Sequence, residues 1–279
     1  MTSQSLPLET LLQIFDCIPG SLAPYASVCR AWQIAVEKST FADLHINSLN
    51  LEDFDHITGS SKFPERPHHI NKIFFKVVLP EYSTAARARY ENQDDRNRNS
   101  KVFTQAITSL FQILSSWPNG SCATKYLELY SLSPSDWQAV PGWQTRGARL
   151  QTARAFPEKE LLDQRYESSY LELLEESRLS TADCITSFRV PGKFNHRHIA
   201  PKAVSKMISH LPRLQIINAS LHDDESKDDI LRERLRNGKL NLIHLFFPFS
   251  SISLSSPSHL LTFFWPSTHF LLIFRFYII

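Results

Sequence analysis

Two histidine pairs, His68-His69 and His196-x-His198, are the side chains in this chain best suited to chemistry, because imidazole ligates metals and moves protons near neutral pH. Neither pair has an acidic or cysteine partner at metal-ligand spacing, so each reads as ordinary surface or core histidine. The four cysteines, Cys17, Cys29, Cys122 and Cys184, are far apart and form no Cys-x-x-Cys pattern; they are expected to be reduced core thiols. No Gly-rich phosphate loop, nucleophile elbow or His-Glu-x-x-His string occurs, and glycine is scarce at seven residues. Ser, His and Asp are common enough to form an accidental triad in a chain of this size, so counting them decides nothing. The expectation is a protein that is not an enzyme, with no cofactor and no metal. Its chemistry must then be recognition.

Residues 6–46 carry the densest recognition pattern. Pro7 has a backbone angle suited to the first turn of a helix, and Glu9 places a negative charge near that helix's positive end. Leu8, Leu11, Leu12, Phe15 and Ile18 recur at helical spacing and form one apolar face, and Pro19-Gly20 ends the run. A second helix is expected to carry Leu22, Tyr25, Ala26, Cys29 and Trp32 along one stripe. Val28, Ala35 and Val36 widen that stripe beyond what a surface helix needs. Two short helices this apolar require a partner.

The joint occurrence of Leu6-Pro7-x-Glu9 and Val28-Cys29-Arg30-x-Trp32, about 20 residues apart, resembles an F-box. Proteins of that family dock a three-helix module on the Skp adaptor of a cullin-RING ubiquitin ligase. The resemblance therefore implies an adaptor-binding set of Leu6, Pro7, Glu9, Leu11, Ile14, Val28, Cys29 and Trp32. Leu6 and Pro7 would lie at the interface, while Val28, Cys29 and Trp32 would hold the helices together and shape the same surface. Two positions depart from the family pattern: Thr10 stands where Ile or Val is usual, and the acidic residue often found before the second helix is missing.

Beyond residue 46, strand-like stretches (70–79, 125–132, 184–190 and 213–219) alternate with helix-like ones (102–117, 157–178 and 201–210). Strands separated by helices predict parallel pairing through crossovers. In 102–117, Phe103, Ile107, Leu110, Phe111 and Leu114 fall on one face. Leu211, Leu214, Ile216 and Leu221 approximate a leucine-rich repeat, although the strand candidates recur at about 55 residues, roughly twice that repeat's period. The strings Leu79-Pro80-Glu81-Tyr82, Phe103-Thr104-x-Ala106-Ile107 and Ser133-Pro134-Ser135-Asp136 also resemble a group of filamentous-fungal F-box proteins. The expected fold class is α+β or α/β: a three-helix F-box at 1–46, then an irregular, leucine-rich-repeat-like α/β region at 47–239 that recognises a substrate. Within it, 83–101 reads as a solvated polar loop. Arg87, Arg89, Arg96 and Arg98 there are offset by Glu91, Asp94 and Asp95, which argues against a nucleic-acid patch.

The charge balance excludes other classes of partner. Thirty basic and 28 acidic residues leave a net charge of +2, too small a field to draw the chain to nucleic acid or anionic membrane. The N-terminus lacks a basic region followed by an apolar one, so an intracellular, reducing location in cytoplasm or nucleus is expected. From Leu240 onward the composition changes: there is no Asp or Glu, one Arg, and eight of the nineteen Phe. Pro248, Pro257, Pro266 and Arg275 interrupt this tail and argue against a C-terminal membrane anchor. The tail is instead expected not to be a native domain, but a splice- or frame-derived ending that replaces part of the substrate region; the alternatives are a native core segment and then the membrane anchor. The functional expectation is a substrate-recognition subunit of a Skp-cullin-F-box ubiquitin ligase acting on an unknown target. Alternatives are a Skp-bound scaffold without a ligase role and, more remotely, a membrane-anchored adaptor.

Overall fold

A computed structural model describes residues 6–59, 63–87, 89–117, 125–136, 162, 164–167, 169–191, 197–222, 258–264 and 271–277, with 220–222 and the last two stretches described by backbone alone. Helix α1 (Leu8–Asp16) starts directly after Pro7, with Glu9 in its first turn. Gly20 follows at φ +96, a left-handed conformation that side chains with a Cβ rarely adopt, and it turns the chain back. The expected second helix is in fact two pieces, a 3₁₀ turn (Ala23–Ser27) and α2 (Arg30–Phe41), because Cys29 is fully extended at the start of α2. Leu11, Phe15, Ala35 and Val36 form a small buried core between α1 and α2.

The rest is one layer of strands covered on one face by helices. Strands β1 (Asp43–Asn47), β2 (Lys72–Val78), β3 (Lys125–Leu132), β5 (Ile185–Val190) and β7 (Ile216–His222) lie side by side in chain order, each parallel to the next. Their connections carry α3 (Leu51–Thr58), α4 (Arg66–His69), α5 (Thr84–Arg87), α6 (Gln93–Ser115) and α7 (Pro201–Ile208). A second, two-stranded sheet joins β4 (Tyr170–Leu171) to β6 (His198–Ile199). Period-2 alternation sends Ile73, Phe75, Val77, Leu127 and Leu129 inward, where they share a core with Phe103, Ile107, Leu110, Phe111 and Leu114 of α6 and Val204 and Met207 of α7. Parallel pairing through helical crossovers is thus present. The backbone of β8 (Ser258–Phe264) and β9 (Leu271–Tyr277), both within the apolar tail, forms an antiparallel pair whose second strand runs parallel to β7.

Two expectations for this region are corrected. The polar stretch 83–101 is not a loop: α5 occupies 84–87, and α6 begins at Gln93. Asn92 caps α6 by accepting the backbone N–H of Asp95 at 2.7 Å, and Asp94 and Asp95 lie in its positive first turn. The helix expected over 157–178 does not extend through its second half, where Tyr170–Leu171 pairs as a strand with His198–Ile199; residues 157–161 lie outside the described part.

One charge of that stretch, Glu91, is placed inward, while Arg89, Asp94, Arg98 and Lys101 are exposed. Glu91 is completely buried and receives Nη1 and Nη2 of the equally buried Arg197 at 2.7 Å each. Asn99 donates to the same carboxylate at 2.6 Å, and the Ser169 hydroxyl donates to its other oxygen. Burial alone would raise Glu91, but the Arg197 hydrogen bonds and charge, with Ser169 and Asn99, outweigh it and hold the carboxyl below the usual range. Arg197 also lies over the Tyr166 ring at 4.0 Å, and Arg165 lies over Tyr82 at 4.0 Å. Both tyrosines donate to Asp136, at 2.6 Å and 2.5 Å respectively. Burial, together with the Asp136 charge, pushes Tyr82 up to about 12. This network ties together the segments that follow β2, β3 and β5.

Candidate interaction surfaces

The first surface is on the N-terminal hairpin. Phe15, Tyr25 and Trp32 form an aromatic triangle, with Phe15 meeting Trp32 edge-on at 5.3 Å and Tyr25 lying 6.1 Å from Trp32. Trp32 is therefore a half-buried packing residue. Leu11 is buried at 1 % exposure and faces the hairpin core, so it supports the surface without belonging to it. Leu6, Pro7, Glu9 and Ile14 are exposed, Leu6 at 49 %. Val28 is 60 % exposed, and Cys29 is exposed as well. The extended backbone at Cys29 turns both outward, so neither holds the helices together, and both remain available to shape an outer face. Cys17 is exposed too; of the described thiols only Cys184 is buried, which corrects the expectation of core cysteines.

Leu6, Ile14 and Val28 thus leave apolar side chains open to solvent on a small module that keeps its own core. Residues 3–45 match the F-box-like family. No curated protein and no solved structure matches the chain. An F-box-like domain suggests an adaptor role in ubiquitin ligases of the Skp-cullin-F-box type, where such domains bind the Skp adaptor.

The second surface is the sheet face turned away from α3, α6 and α7. Cross-strand register sets His45 against Phe74, and their rings stack at 4.4 Å and 8°. Phe74 in turn meets the Tyr126 ring edge-on at 6.1 Å. Tyr126 donates to Glu128 at 2.6 Å, and Arg189 on β5 reaches the same carboxylate at 3.5 Å. Burial and the Glu128 bond push the Tyr126 hydroxyl up to about 12, and the Tyr126 bond, above all, raises Arg189. Lys72 pairs with Asp43, its register partner, at 3.0 Å, two positions before His45 and Phe74 and on the same face. The result is a mixed ladder of aromatic rings and ion pairs running across four strands. Sequence reading found β2, β3 and β5 but neither β1, which it left inside the helical module, nor this ladder; the ladder's signal was the second half of the same alternation, the half-buried partners of Ile73, Phe75, Leu127 and Leu129.

Between the two surfaces lies a polar joint. Arg66 of α4 pairs with Glu37 of α2 at 2.8 Å, both mostly buried, and its guanidinium covers the Phe63 ring at 3.9 Å. Arg30 pairs with Glu65. Glu37 would be raised by burial, yet the Arg66 and Gln33 bonds and the nearby arginine charges hold it below its usual value. Of the histidine pairs, His68 is exposed and His69 sits beside this joint, lowered mainly by burial; His198 contacts the Tyr170 ring, and His196 lies outside the described residues. Among the described residues no group of three His, Cys, Asp or Glu side chains could hold a metal ion, and no helix is long and apolar enough to cross a membrane.

Proposed function

We propose that this chain is the target-recognising subunit of a Skp-cullin-F-box ubiquitin ligase. Residues 1–46 dock the Skp adaptor, residues 47–239 hold an unidentified protein target, and the apolar tail 240–279 contributes to neither. The observation that carries the reading is the F-box-like match at 3–45 on a hairpin that keeps its own core while leaving Leu6, Ile14 and Val28 exposed. Leu6, Pro7, Glu9, Ile14, Val28 and Cys29 form the contact face, and Leu11 and Trp32 support it from within. The sequential parallel strands support an open, solenoid-like layer, and its aromatic and charged outer face supplies the target-reading surface. Such a subunit makes and breaks no bonds. It raises the effective concentration of a target lysine beside a charged ubiquitin-conjugating enzyme.

Affinity purification of the full chain under proteasome inhibition tests this reading. The adaptor, a cullin and ubiquitinated target are expected to co-purify; deleting residues 1–41, which spares β1, should remove the adaptor and the cullin and leave the target bound but not ubiquitinated. Adaptor recovery by the deleted chain would refute the assignment of the docking face.

A further inference from the structure

We infer that Lys125 is a positioning residue that sets the orientation of the F-box module on the sheet, acting through helix α4. The two buried hydrophobic cores are separate, and of α2 it is the terminal Phe41 that packs on the sheet's core, too close to the start of β1 to fix the module's bearing by itself. Two polar contacts add to it. One is a hinge where α2 runs into β1: the Ala42 carbonyl accepts the backbone N–H groups of Asn71 and Lys72, both at 2.9 Å. The other is α4, a four-residue helix too short to hold itself in register and gripped from two sides. On the module side, Glu37 and Arg30 of α2 pair with Arg66 and Glu65.

On the sheet side stands Lys125, 0 % exposed at the start of β3. Its ammonium donates to the Pro67 carbonyl and, at 2.6 Å, to the Ile70 carbonyl, and lies 5.4 Å from the centre of the Trp117 ring. A buried ammonium is tolerated only with such partners, and here they are the carbonyls that end α4. A hinge alone leaves one rotation free; a hinge plus a strut leaves none. Lys125 fixes the strut to the middle of the sheet. Combined with the proposed two-surface reading, this fixes the bearing of a bound target relative to the adaptor.

The test is a distance distribution from pulsed electron paramagnetic resonance on the full chain. Spin labels are placed at the exposed native Cys17 and at Gln215→Cys, an exposed site beyond α7, with Cys29 and Cys122 changed to Ser and buried Cys184 kept. The parent should give one narrow distance. Lys125→Met should at least double the width of the distribution while the circular dichroism of the sheet persists, and the same change made with Cys29 native should leave adaptor capture intact; Arg66→Gln should reproduce the broadening from the other jaw. Parent-like width in Lys125→Met alongside broadening in Arg66→Gln would overturn the anchoring role. Should Lys125→Met not fold, Lys125→Gln decides: it retains a donor for one carbonyl, so it should fold with intermediate width, and parent width would again overturn the inference. Failure of the native, unlabelled chain to capture the adaptor would count against the proposed function and leave the distance result standing.

Discussion

Removing Arg197 gives the sharpest stability prediction. Its side chain is 1 % exposed and Glu91 is 0 % exposed, and the two make a bidentate pair at 2.7 Å. Arg197→Met leaves a buried carboxylate with Asn99 and Ser169 as its remaining side-chain donors, and loss of one partner of such a pair costs about 3–5 kcal/mol. With a urea slope of roughly 2–3 kcal/mol per molar, the unfolding midpoint should fall by about 1–2.5 M. Changing Glu91→Leu and Arg197→Met together should cost less than Arg197→Met alone, because no uncompensated charge remains. Urea titration followed by circular dichroism reads all three. An unchanged midpoint in Arg197→Met would show that the pair does not fasten α6 to the segment after β5.

Acid should weaken the fold through the same carboxylate: Glu91 is lowered on folding, so its contribution is complete above its unfolded value near 4.5 and is lost as pH falls through the lower folded value, a component that Glu91→Gln should lack in an acid titration. Replacing Leu6 and Pro7 together by Ala should weaken adaptor binding by roughly 1–2 kcal/mol per anchor without altering the circular dichroism of the sheet, read by calorimetric titration. Trp32→Ala should instead destabilise the hairpin, by about 2–3 kcal/mol since the indole is only half-buried, and thermal unfolding of the hairpin signal checks it. Deleting residues 240–279 should leave the dichroism of 1–239 nearly unchanged and reduce self-association in sedimentation; loss of cooperative unfolding would show that the hairpin of β8 and β9 is part of the fold.

What the sequence made legible follows from local periodicity. Strand 125–132 and the face of Phe103, Ile107, Leu110 and Phe111 were readable because alternation and helical spacing report burial directly. The hairpin motif was readable as well, but the direction of Val28 and Cys29 was not, since one extended residue at Cys29 rotates both away from the stripe that a continuous helix would have formed. Asn92-x-x-Asp95 was a legible helix start hidden among charges that looked solvated. Glu91 with Arg197 was not legible. The partners stand 106 residues apart, and only the fold reveals that their charges face each other instead of water. Lys125 likewise looks like an ordinary strand-edge lysine until α4 is seen to end on it.

The central claim is adaptor docking through the exposed hairpin face. Calorimetric titration of the full chain with purified Skp adaptor tests it most directly, alongside a variant carrying Leu6→Ser, Ile14→Ser and Val28→Asp, whose changes lie outside the hairpin core. The native chain should bind with a negative heat-capacity change, the mark of apolar surface leaving water, and the variant should fold normally and show no binding. Equal affinity of native chain and variant, or no binding by the native chain, would contradict the account.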